Sequence, residues 1–273
     1  MKKYLNIRFL TAMILSLSIM FSVTSCEEKE PVEDRPDLPP IESLVMDFSN
    51  FVDEPAGNKG APLSINNVWY SYWTVWGANV IAGIVSVIPA TAYTVALQQT
   101  PVYVGDYTWE WSFDFTLDKE YTATLTGARL NNAEFSMEMK IALAATPNLG
   151  VKWFDGVVRY DHTHAEWILY ENGLQDVLEV EWNMNYETGM GDLTYTYTKP
   201  GEELTDSFIK AEHRPGEFFD AAYTISVPEG LTNIEWNIET KEGHVKAPVH
   251  FGDNEWHCWD SQANGLVDKV CDQ

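Results

Sequence analysis

YTWEWSFDFTL, residues 107–117, alternates large apolar and polar side chains without a break: Tyr107, Trp109, Trp111, Phe113, Phe115 and Leu117 against Thr108, Glu110, Ser112, Asp114 and Thr116. A period of two sends successive side chains to opposite faces of a strand, so one face is buried and the other is wet. Residue type agrees with period, because aromatic side chains suit a pleated, half-buried surface. The pattern returns in Phe135–Leu143 and Leu178–Tyr186, and in shorter form in Tyr121–Leu125, Leu193–Tyr197, Tyr223–Val227, Ile234–Ile238 and Val245–Phe251. Val157–Tyr160 and Trp167–Tyr170 read as two further strands. Asp118-Lys119, Asn131-Asn132, Asn172-Gly173, Pro200-Gly201 and Pro215-Gly216 punctuate the runs as turns.

About ten strands joined by short turns make an all-β antiparallel meander, and a meander with one apolar face must close on itself or stack. Short connections, without a long Greek-key crossover, favour closure into a lipocalin-like β-barrel; the alternative is a two-sheet β-sandwich. A membrane-spanning barrel is disfavoured, because the polar faces carry charges that lipid would exclude. The stretch Asn79–Gln98 does not alternate. Gly83 and Pro89 interrupt it, and it reads as a short helix ending before Pro89 followed by a strand.

The N-terminus carries a different signal. Lys2, Lys3 and Arg8 precede an uncharged apolar run, Phe9–Val23, which is followed by Val23-Thr24-Ser25-Cys26. This order of charge, apolar run and small residues reads as a secretory signal peptide over residues 1–25. The run is shorter than the roughly 20 residues that a spanning helix needs. The junction resembles the lipobox of bacterial lipoproteins, which implies that Cys26 is lipidated and begins the mature chain. Residues 26–42 follow as an acidic, Pro-rich tether, and 43–273 as a single all-β domain. Acidic residues directly after the lipidated cysteine resemble the surface-export signal of Bacteroidetes lipoproteins, implying an outer-membrane protein that faces the cell exterior.

With 17 basic against 41 acidic residues the net charge is −24, and loss of Lys2, Lys3 and Arg8 makes it more negative. Such a field repels nucleic acid and anionic headgroups, and is compatible with a cationic ligand without implying one. With Cys26 lipidated, Cys258 and Cys271 remain as an even pair in an oxidising compartment and are expected to form a disulfide.

Strand Tyr107–Leu117, the turn and strand Gly191–Tyr197, and the tail from Ile234-Glu-Trp236-Asn237 through Val245-Lys-Ala247 to Trp256-His-Cys-Trp-Asp260 resemble an uncharacterised family of Bacteroidetes secreted lipoproteins. The resemblance implies an all-β lipoprotein. It brings no activity, cofactor or functional residues.

The candidate sites follow from residue chemistry. Trp109, Trp111, Phe113, Met137, Met139 and Trp182 would line one interior, either a packed core or a cavity for an apolar or amphipathic small molecule. On an open face the same aromatics would suit a surface glycan. His162 and His164 share a face if extended and offer two ligands to a metal, as a metal-dependent hydrolase would need, although a polar hairpin turn explains them equally well. His244 and His250 are expected on a solvated face. No nucleophile elbow, phosphate loop or dinucleotide fingerprint occurs, so no cofactor or catalytic residue is expected and a non-enzymatic binding module is favoured.

Overall fold

A computed structural model describes residues 35–47, 49, 51, 66–262 and 265–271. The expected signal peptide, Cys26 and residues 26–34 of the tether lie outside the described residues. Fourteen strands form one antiparallel sheet in which every strand pairs with its neighbours in sequence. They are β1 Val102–Gly105, β2 Thr108–Thr116, β3 Glu120–Arg129, β4 Glu134–Leu143, β5 Val151–Arg159, β6 His164–Glu171 and β7 Gln175–Asn185. β8 Met190–Tyr197, β9 Phe208–His213, β10 Ala221–Val227, β11 Gly230–Trp236, β12 Gly243–Lys246, β13 His257–Gln262 and β14 Gly265–Lys269 complete it.

The meander read from the alternation is therefore present, as one sheet and not the two of a sandwich. Among the described residues the ladder runs from β1 to β14 and no pairing joins these ends. Register carries the alternation across strands: Trp111 pairs with Leu125, Leu125 with Met139, Met139 with Phe154, Phe154 with Leu169 and Leu169 with Leu178. That row belongs to a single buried cluster.

The segment that did not alternate is a helix, α1, Asn66–Ala96, which continues through Pro89. The expected break and following strand are thus corrected. Proline removes one N–H from a helix interior at a cost of about 3 kcal/mol, and tertiary packing offsets it. Ala92, Tyr93 and Ala96, beyond Pro89, are completely buried. The hydroxyls of Ser71, Thr74, Thr91 and Thr94 each donate to the carbonyl four residues back, at 2.8 Å, so the helix satisfies its own polar groups. No charged residue occurs between Lys59 and Asp106. Trp73, Trp76 and Val87 of α1 are about half exposed, while Val68, Ser71, Val75, Ala92, Tyr93 and Ala96 face the core that the sheet covers.

The sheet curls to do so. At about 4.8 Å per strand a flat sheet of this size would be roughly 60 Å wide, whereas 31 helical residues at about 1.5 Å each span roughly 46 Å. Yet α1 reaches both β2 and β14. At its start, the Asn67 N–H donates to the Asp268 carboxylate of β14 at 3.2 Å, and Asn67 Nδ2 donates to the Cys258 carbonyl of β13 at 2.9 Å. A carboxylate at this end also meets the positive pole of the helix. At its other end, Tyr93 contacts Phe154 and Trp167 edge-on, each with 6.0 Å between ring centroids.

Residues 35–42, read as the end of the tether, belong to the folded domain: Pro36 and Pro39 are buried, and Ile41–Ser43 form a short 3-10 turn. Val249 and Phe251, read as strand, lie in a second, four-residue helix, α2, Pro248–Phe251. Proline at its start supplies a preset φ and needs no hydrogen bond there. Cys258 and Cys271 are joined, with Cα atoms 5.2 Å apart, fastening the chain after β14 to β13.

Candidate functional site

Side chains from one helix and five strands define the site. Tyr70, Trp73, Thr74 and Ala78 of α1 face Leu178, Tyr195, Tyr197, Phe208, Ile209, Ile225 and Thr232 of β7–β11 across a cavity of about 440 Å³. Pockets of about 300–1,000 Å³ with mainly apolar walls are the usual size for small-molecule sites. Helical spacing sets the first wall, since residues 70, 74 and 78 fall at i, i+4 and i+8 on one face. Strand alternation sets the second. The Tyr70 and Thr232 hydroxyls meet at 3.0 Å and tie the two walls together. Burial raises the phenol of Tyr195 far above its ordinary pKa, so it stays neutral; its hydroxyl donates to the Leu44 carbonyl and accepts from the Met46 N–H, both at 2.8 Å. The Ser207 hydroxyl is buried in the same wall with no protein partner.

Trp73 also stands at the rim, half exposed, and continues into an aromatic ridge on α1. Its ring stacks on Trp69 with centroids 6.2 Å apart and meets Trp76 edge-on at 5.4 Å. Sequence reasoning missed this site entirely. The signal available was the i, i+3, i+4, i+7 spacing of Trp69, Tyr72, Trp73 and Trp76.

The six interior candidates lie elsewhere. Trp109, Trp111, Met137, Met139 and Trp182 are buried in the core and Phe113 packs against it. None of them lines the cavity beside α1. Trp182 borders a second cavity of about 290 Å³, between β7–β11 and the segment Glu42–Asp47. That segment is a strap held by aromatic donors: Tyr93 Oη to the Pro39 carbonyl, Trp167 Nε1 to Ser43 and Tyr195 Oη to Leu44, each 2.8 Å, and Tyr223 Oη to Asp47 at 3.2 Å.

His162 and His164 are not brought together on a metal. His162 lies in the turn before β6 with a positive φ, and its Nε2 is 3.0 Å from the Asp37 carbonyl. His164 Nδ1 is 2.8 Å from Asn183 Oδ1, and its Nε2 is 3.3 Å from Glu166. Among the described residues no group of three or more His, Cys, Asp or Glu side chains is placed to hold a metal ion.

Electrostatics concentrate on the outer face of β8–β12. Asp192, Glu212, Ala222, Glu235 and His244 are successive register partners across five strands. Arg214 reaches over the small Ala222 to Glu212 at 3.3 Å and Glu235 at 3.2 Å. His244, expected on a solvated face, is instead half-buried, stacked on Trp256 at 3.8 Å and bonded to Glu235 at 2.8 Å. The hydrogen bond from His244, with help from Arg214 and against the effect of burial, holds the Glu235 carboxyl below its usual pKa. A lowered folded pKa stabilises the fold above the ordinary carboxylate range, and this is lost as pH falls through the folded value. Glu235→Gln should therefore lower the urea midpoint at pH 6, and the gap to the wild type should shrink as pH falls below the ordinary carboxylate range. A gap that stays constant from pH 6 to pH 3 would contradict this.

Comparisons with protein-family models, with curated proteins and with solved structures gave no match for this chain.

Proposed function

We propose that the protein is a lipid-anchored, surface-exposed outer-membrane module, not an enzyme, whose curled, barrel-like sheet and central helix hold an apolar or amphipathic small molecule. The observation that carries the binding reading is the 440 Å³ cavity between α1 and β7–β11, walled by Leu178, Ile209, Ile225 and aromatic rings. In this reading α1 packs against the sheet and the cavity lies beside it. Closure of the sheet into a complete barrel belongs to the same proposal, as does kinship with Bacteroidetes lipoproteins.

The mature chain, residues 26–273, carrying Cys26→Ala should bind the neutral fluorophore N-phenyl-1-naphthylamine in the micromolar range. Native mass spectrometry of the same material should show a co-purifying apolar molecule. Ile225→Trp, from the sheet side, and Ala78→Trp, from the helix side, should each weaken dye binding at least about tenfold by filling the cavity. Dye binding unaffected by both, in variants with wild-type circular dichroism, would sink the binding reading.

Localisation rests on the lipobox-like junction at Cys26. Growth with an alkyne fatty acid should label the wild type and not Cys26→Ala; equal labelling of both would remove the anchor.

A glycan-binding reading keeps one specific support. Trp109 and Trp111 are enclosed and offer no platform, but Trp73 and Trp76 are half exposed on the ridge. Oligosaccharide titration monitored by their fluorescence, with Trp76→Ala as control, separates this reading from the cavity.

A further inference from the structure

We infer that the cavity beside α1 selects amphiphiles whose head carries no negative charge. The inference rests on the binding reading above and adds the ligand's charge class. Among the described residues the lining contains no Lys, Arg or His, and Glu229, in the turn between β10 and β11, is its single carboxylate. Tyr195 in the wall is held neutral, since burial raises its pKa and its hydroxyl is already bonded to the Leu44 and Met46 main chain. Polar contacts on offer are the hydroxyls of Ser207, Thr232 and Tyr197, which suit an uncharged head.

Cations nearby are already committed. Lys199 lies 2.8 Å from Glu171 and 4.0 Å from Glu202. Lys210 lies 3.4 Å from Asp192 and 3.3 Å from Glu212. Both sit among carboxylates, whose charge offsets theirs toward an approaching anionic headgroup. An apolar wall without a cation makes a buried anion costly, and the net charge of −24 adds a field of the same sign. A neutral head meets hydroxyls at the wall, and a cationic head meets Glu229 at the mouth.

The test is displacement of N-phenyl-1-naphthylamine from the mature Cys26→Ala chain by three ten-carbon probes at pH 7.5. Salt is held near 0.3 M, where distant charges are largely screened. Decanol and decyltrimethylammonium should displace the dye, with decanoate at least about tenfold weaker than either. Lengthening the alcohol should tighten binding by about fourfold per methylene until the cavity is full. Glu229→Gln should narrow the gap between the cationic and anionic probes by about threefold or more, leaving decanol unchanged. Decanoate binding as well as decanol, or a cation-to-anion ratio untouched by Glu229→Gln, overturns the charge selectivity while the binding reading stands. A dye that does not bind, or whose binding survives both Ile225→Trp and Ala78→Trp, removes the binding reading itself and this inference with it.

Discussion

Gly243→Ala should lower the melting temperature by about 2–12 °C, the shift expected when overpacking costs about 1–3 kcal/mol in a domain of this size. Gly243 of β12 lies between Trp236 of β11 and Trp259 of β13 in register. A Cβ built there would collide with the six-membered ring of Trp259 and with the Glu235 carbonyl. Trp259 is completely buried and its Nε1 donates to the Lys241 carbonyl at 2.7 Å, so the ring is pinned at both ends. The carbonyl is part of the ladder and has nowhere to go. Trp259→Phe, which removes the colliding ring edge, should recover part of the loss in the double variant. A melting temperature within a degree of wild type for Gly243→Ala would show that the ring and ladder yield easily.

Trp167→Ala should cost about 3–5 kcal/mol, as truncation of a large buried aromatic does, with up to about 3 kcal/mol more because a buried carbonyl loses its donor. Trp167 is 1% exposed, meets Phe154 edge-on with 5.5 Å between centroids, and donates to the Ser43 carbonyl of the strap. Trp167→Phe separates the two effects. It keeps most of the ring packing while removing the donor, so its smaller loss, on the order of 1–3 kcal/mol, reports on the strap. In that variant the strap, residues 39–47, should be cut sooner under limited proteolysis than the rest of the domain. Equal stability of the Phe variant and the wild type would mean that the strap is held by packing alone.

The strands were legible because each is half buried. From Trp109 to Phe115 every second residue meets the core, and the burial seen in the structure follows the written alternation through Phe135–Ile141 and Leu178–Trp182. The turn signals at Asn131-Asn132, Asn172-Gly173 and Pro215-Gly216 all fall between strands. α1 was not legible for a different physical reason. Its exposed side carries Trp73, Trp76 and Val87 in place of charges, so the polar half of a 3.6-residue alternation is missing. Pro89 then looked like an end, when packing of Ala92, Tyr93 and Ala96 carries the helix past it. The cavity went unseen with the helix, because one of its two walls is α1. The start of the strap was hidden by composition: prolines and acids suggested a tether through residue 42, yet Pro36 and Pro39 within it are buried. His244 was misjudged because alternation assigns it outward correctly but says nothing of Trp256, which covers it from the following loop.

The strap has a mechanical consequence. A pull on the chain from the N-terminal side enters the fold at residues 35–47, where the main chain is gripped by Tyr93 of α1, Trp167 of β6, Tyr195 of β8 and Tyr223 of β10. Because these grips lie on separate elements, the load is shared and several must slide together before any one lets go. An edge strand such as β1, pulled from its end, would instead unzip one bond at a time. Tension arriving through the strap is thus resisted in shear, deep in the domain, and reaches the sheet's free edges last.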